Sequence, residues 1–171
     1  MYAGQELTAE QMESLEKSAG EMSAKMRAVR IVSATNVSRR DLEQRLVHKG
    51  ESADQARAAV EWMEDLNLID DRQTARQIVA RCAARGYGAV RVKQLLYEKQ
   101  IPRELWDEVL ADYPDQTEKM VDFLRARLGE EPDRREVQRA VDALRRKGHN
   151  WNDIRRALAL LTEDADHFVE E

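Results

Sequence analysis

Three stretches of the chain follow one plan: LVHKGESADQARAAV at 46–60, LYEKQIPRELWDEVL at 96–110 and LRRKGHNWNDIRRAL at 144–158. Aligned on Lys49, Lys99 and Lys147, the copies are spaced by 50 and 48 residues. Seven residues before each lysine stand Leu42, Val92 and Ala140, and three before it Leu46, Leu96 and Leu144. Seven after come Ala56, Trp106 and Ile154, eleven after Val60, Leu110 and Leu158, and fourteen after Met63, Tyr113 and Leu161. These offsets are the rhythm of one buried helical face, interrupted by a turn at a fixed place. A unit of this kind cannot bury much apolar area alone, so the pattern predicts an array of small helical units leaning on one another.

Composition agrees. Among 171 residues there are 7 Gly and 3 Pro, and 36% of residues are charged against 5% aromatic, which suits a helix-rich chain without a large sheet core. No apolar run approaches the length that spans a bilayer, and MYAGQELTAEQ lacks the build of a signal peptide, so the expected location is the cytoplasm. The single Cys82 excludes an intramolecular disulfide and a cysteine-cluster metal site.

Helix starts are written as side-chain caps. Thr8 with Gln11, Ser38 with Asp41, Ser52 with Gln55, Asp70 with Gln73, Asp115 with Glu118, Asp133 with Glu136 and Asn150 with Asp153 each set a cap three residues before a side chain that can reach back. Leu7 and Met12 are spaced as a hydrophobic staple around Thr8. Gly50, Gly86, Gly129 and Gly148 stand where helices should stop in the left-handed conformation. The expected fold is all-α, with three tandem three-helix, helix-turn-helix-like repeats. An extra N-terminal helix over 8–19 lies in segment 1–20. The first repeat (21–70) has helices at 21–36, 38–49 and 52–67, and the second (71–114) at 71–85, 88–99 and 102–112. The third (115–161) has helices at 115–128, 133–147 and 150–161, followed by an acidic, frayed tail, 162–171.

NVSRRDLEQRLVHKG (36–50), DLNLIDDRQTARQIVARCAARGYGAVRVKQLLYEKQI (65–101) and VDALRRKGHNWNDIRRAL (141–158) together resemble the bacterial RecX family, modulators of the recombinase RecA. The resemblance spans roughly 24–161 and rests on the order and spacing of helix boundaries. Glu51 and His149 stand where the family often has an aromatic residue after glycine, and Gln100 stands where glycine is usual. The resemblance implies an elongated, curved array that lies along the groove of the RecA–single-stranded DNA filament. There it restrains filament growth, ATP hydrolysis and strand exchange in homologous recombination, DNA repair and the SOS response. Some members also contact DNA.

The net charge of −5 is unevenly laid down. Residues 72–101 carry seven basic residues against Glu98 alone, and 137–161 carry six against two acids, whereas 38–71, 102–136 and 162–171 are acidic. Two basic surfaces on an acidic protein are therefore expected. With Ala75, Ile78, Val79 and Cys82 buried, Arg72 and Arg76 flank one side of that stripe and Arg81 and Arg85 the other. Arg145, Arg146 and Lys147 precede a turn and Arg155 and Arg156 follow it, the layout by which a helix-turn-helix offers phosphate contacts. The ordinary alternatives are a solvated face for the first band and macrodipole cations for the end of the helix before Gly148. Trp106 is expected in the core and Trp62 beside it. Trp151 is expected to pack on the turn before it, the alternative being exposure for stacking on a partner.

Asp70-Asp71 reads as a helix cap rather than an acid pair, since no further ligand stands at metal spacing. His48, His149 and His167 are scattered, Cys82 has no paired base, and no glycine-rich phosphate loop occurs. No enzyme activity and no cofactor are expected. The expected partner is the RecA filament, contacted by Arg81, Arg85, Arg91, Lys93, Arg145, Arg146, Arg155 and Arg156. The second reading is direct binding of single- or double-stranded DNA by tandem helix-turn-helix-like units. The chain is expected to be a monomer without membrane contact.

Overall fold

The computed structural model describes residues 8–167, with side chains as far as residue 162. All described regular structure is helical: α1 (Ala9–Ala34), α2 (Arg39–His48), α3 (Ala53–Asp65), α4 (Asp71–Ala84), α5 (Ala89–Glu98), α6 (Trp106–Leu110), α7 (Thr117–Arg127), α8 (Arg134–Arg146) and α9 (Trp151–His167), with a 3-10 turn at Arg103–Leu105. The chain divides into two compact units, Met1–Thr74 and Ala75–Glu171.

The first unit is built on small residues. Ala24 and Ala28 of α1 are fully buried with Leu42 and Leu46 of α2 and Ala56, Val60 and Met63 of α3. The extra N-terminal helical segment is present, and it runs into the first repeat helix without a break at Gly20. A Cβ added at Gly20 would meet only the end of the flexible Gln55 side chain on α3. Burial of Ala24 and Ala28 in the same helix offsets the roughly 1 kcal/mol that glycine costs inside a helix. The staple expected for Leu7 lies outside the described residues.

Two further cores serve the second unit. Ala75, Val79, Cys82, Val92, Leu96 and Ile101 form one, with Trp106 and Tyr113 packed against it. Met120, Leu124, Ala140, Leu144, Ile154 and Ala157 form the other. Each fully buried leucine contributes about 1.5–3 kcal/mol relative to exposure. The helix expected over 102–112 is instead the 3-10 turn followed by the five-residue α6. Pro102 holds an extended ψ of 135° there and supplies no N–H. α9 continues past 161 into the acidic segment, whose last four residues lie outside the described part.

The aligned lysines close α2, α5 and α8 in the same way. Gly50, Gln100 and Gly148 have φ of 97°, 55° and 89°. Each donates its N–H three residues back, and the next residue donates five back: Glu51 to Leu46, Ile101 to Leu96 and His149 to Leu144, at 3.0–3.2 Å. This is the Schellman closure, in which a left-handed residue satisfies the last helical carbonyls. Gln100 therefore performs the glycine's part with a side chain. Asn67 (φ 55°) and Gly86 (φ 68°) close α3 and α4 alike. Gly129 does not; α7 ends at Leu128 in extended backbone. The Thr8, Ser52 and Asp133 capping boxes form. Asp115 caps Thr117 rather than Glu118, because α7 begins two residues later than the spacing suggests.

Candidate functional site

Both basic bands end at helix C-termini in the second unit, and the main chain joins them there. The first band leaves α4 through Arg81 and Arg85, turns at Gly86-Tyr87-Gly88 and re-enters α5 with Arg91 and Lys93. The second leaves α8 through Arg145 and Arg146, turns at Lys147-Gly148-His149 and re-enters α9. Gly88 N–H donates to Lys147 C=O at 2.9 Å and Val90 N–H to Gly148 C=O at 3.3 Å. His149 Nε2 donates to Gly86 C=O at 2.9 Å. No side chain fits between the two turns: a Cβ on Gly88 would lie 2.5 Å from His149 N, and one on Gly148 2.5 Å from Arg91 Cβ.

Electrostatics follow from this approach. Burial pushes the Cys82 thiol up, opposed by the guanidiniums of Arg85, Arg91 and Arg81, so all three act on one point beneath the turn. Burial also pulls the His149 imidazole down, against its bond to Gly86, while Lys147 adds to the lowering. His149 is thus held neutral as a donor between the turns. Lys119 of α7 adds a bond the sequence did not suggest, reaching from an acidic stretch to the Ala83 and Ala84 carbonyls at the end of α4.

The expected site residues divide by their engagements. Arg81, Arg85, Lys93, Arg145, Arg146 and Arg155 are exposed and enter no ion pair among the described residues. Arg91 is half-buried and lies 3.5 Å from Glu98. Arg156 is tied into its own repeat, bonding Thr117 Oγ1 at 3.0 Å and Asp115 at 3.3 Å. The Thr117 bonds, helped by Arg156, hold the Asp115 carboxyl below the usual range. Arg76 pairs with Glu108 at 3.0 Å. Trp151 is 55% exposed at the start of α9. Trp106 is partly buried, its Nε1 donating to Ile101 C=O at 3.0 Å, and Trp62 lies under Lys25.

Both acids of Asp70-Asp71 are caps. Asp70 accepts from the amides of Arg72 and Gln73, while Asp71 accepts from Arg39 N–H at the start of α2. A cavity of about 440 Å³ in the first unit is lined by Arg27, Arg30, Arg45 and Lys49. Sequence reading missed it because its cations come from two helices in stretches of negative net charge. Among the described residues no group of three or more His, Cys, Asp or Glu side chains could hold a metal ion, and no helix is long and apolar enough to cross a membrane.

Residues 70–110 match the family description RecX, second three-helix domain. The regulatory protein RecX of Xanthomonas axonopodis pv. citri is 32% identical over 141 residues, covering 81% of this chain and 87% of that one. The chain belongs to the RecX family. A second RecX regulatory protein, from Halorhodospira halophila, is 29% identical over 140 residues, covering 80% of this chain and 87% of its own. In fold, RecX from Lactobacillus salivarius matches with a TM-score of 0.72 at 20% identity, over 85% of this chain and 98% of that one. Another RecX crystal structure matches with 0.76 at 20% identity, over 93% and 83%. This RecX chain has the all-α three-helix repeat fold, and its basic turns lie in and beyond the matched second domain.

Proposed function

We propose that the protein is a non-enzymatic cytoplasmic regulator of RecA that binds the RecA–single-stranded DNA filament. It limits filament growth, ATP hydrolysis and strand exchange in recombination and repair. One observation carries the reading beyond family membership: two basic bands of an acidic chain meet at a backbone-to-backbone contact, with Arg81, Arg85, Arg145 and Arg146 left unpaired around it. A preorganised cationic surface of this kind suits an acidic protein face or a phosphate backbone. Contacts repeated along a filament raise affinity by multivalency while each stays weak.

The test is fluorescence anisotropy of labelled single-stranded DNA, with and without RecA assembled on a non-hydrolysed nucleotide, at two salt concentrations. Saturable binding only with the filament supports the proposal. Equal binding to naked DNA that collapses with salt supports direct DNA binding instead. That second reading has its own observation in Trp151, exposed beside Arg155 where a base can stack.

A further inference from the structure

α1 has two faces. One, with Gly20, Ala24 and Ala28, is packed into the first unit. The opposite face carries Met12, Leu15, Ala19, Met22, Met26 and Val29, spaced 3, 4, 3, 4 and 3 residues apart. That is an unbroken a/d heptad seam, about 26 Å long at 1.5 Å per residue. Its large side chains are in water: Met12 is 51% exposed, Leu15 54%, Met22 59%, Met26 53% and Val29 38%. From Ala9 to Ala19 every residue is exposed, so the first three turns of α1 pack on nothing among the described residues. A helical segment of that length is marginal alone in water. The outward face of this helix is too apolar, and too regular, for a solvated surface.

We propose that this seam pairs with the same seam of a second copy, antiparallel, to form a homodimer. The flanking charges select both occupant and direction. The positions beside the seam are Gln11, Ser18 and Lys25 on one edge and Glu16, Ser23 and Arg30 on the other. In an antiparallel pair each edge faces itself. Glu16 then meets Arg30 of the second copy, twice by symmetry, while Ser23 stays on Glu51 and Lys25 over Trp62 within each copy. A parallel pair instead sets Lys25 against Arg30 on both sides and gains no ion pair. Across the antiparallel seam Met12 faces Val29, Leu15 faces Met26, and the small Ala19 faces Met22, so the large side chains interleave. A bilayer is a poor occupant, because Glu10, Glu13 and Glu16 outnumber Lys17 along the exposed stretch from Ala9 to Ala19.

Sedimentation equilibrium of the full chain, from low to several hundred micromolar, tests the pairing. The expected mass rises from 19.8 kDa toward twice that value. Leu15→Glu with Met22→Glu, both on the exposed face, should return the protein to monomer with α2 and α3 intact. Two double-cysteine variants report direction after air oxidation. Glu16→Cys with Arg30→Cys should give a covalent dimer, whereas Gln11→Cys with Glu16→Cys, which juxtaposes thiols only in a parallel pair, should not. Buried Cys82 stays in place as the control. A constant monomer mass overturns the proposal, as does a dimer indifferent to the glutamates or cross-linked only in the parallel design.

Discussion

Gly148 and Arg91 touch through their main chains: a Cβ added at position 148 would come 2.5 Å from Arg91 Cβ and closer still to its amide nitrogen. Gly148 also holds φ +89°. Gly50 shares the left-handed backbone, at +97°, but has nothing within 4 Å of an added Cβ.

That pair separates conformation from packing. Gly50→Ala should cost only the left-handed penalty, about 1–2 kcal/mol. Gly148→Ala should cost that plus a further 1–3 kcal/mol, roughly, for overpacking. Urea unfolding of the two variants reads the difference. Equal losses would mean that the turns of the second and third repeats do not depend on their close approach.

At the equivalent place in the second repeat, Gln100 adopts φ 55° with a side chain attached. Gln100→Gly should relieve about 1–2 kcal/mol of left-handed strain, set against the glycine's own entropy cost and the loss of the Gln100 side chain's interaction. The same denaturant midpoint measures it, and the converse Gly50→Gln should lower the midpoint.

His149 predicts a pH dependence of defined sign. Burial lowers its folded pKa below 6.5, so between the two values the unfolded chain binds the extra proton. Its stabilising effect is complete above about pH 6.5 and is lost as pH falls through the folded value. Stability measured across that range should drop toward acid, and His149→Gln should flatten the drop. A profile unchanged by the substitution would remove His149 as its source.

Charge reversal at Arg145, Arg146 and Arg155 should weaken filament binding at least tenfold while helicity by circular dichroism is kept. Arg156→Glu belongs to another class. It removes the bonds to Thr117 and Asp115 and sets like charges against Asp115 and Asp153, so its effect should fall on stability, by up to about 1 kcal/mol for an exposed pair. Anisotropy and thermal melting on the same samples separate the two.

What the sequence made legible was local. The caps at Ser52 and Asp133 and the turns at Lys49 and Lys147 depend on residues within five positions of one another, and they form as read. The separate helices expected at 8–19 and 21–36 are one, α1, which runs straight through Gly20 because Ala24 and Ala28 anchor it in the core. Gly129 follows a helix that simply ends in extended chain, which composition cannot distinguish from a left-handed stop. The basic bands could be counted along the chain, but their meeting could not. It depends on Gly88 and Gly148, which look like ordinary turn glycines until the two turns are side by side. The heptad on α1 was equally hidden, since its residues are spaced as any buried stripe would be. Only their exposure sets them apart.

The amides of Gly88 and Val90 donate to carbonyls of the third repeat rather than to their own. Their exchange with solvent deuterium therefore cannot be a private event of the second repeat. Either repeat that opens releases them, and both must be in place to protect them. The second repeat, whose third helix is reduced to α6, thus borrows its closure from its neighbour, and the pair should melt as one cooperative block.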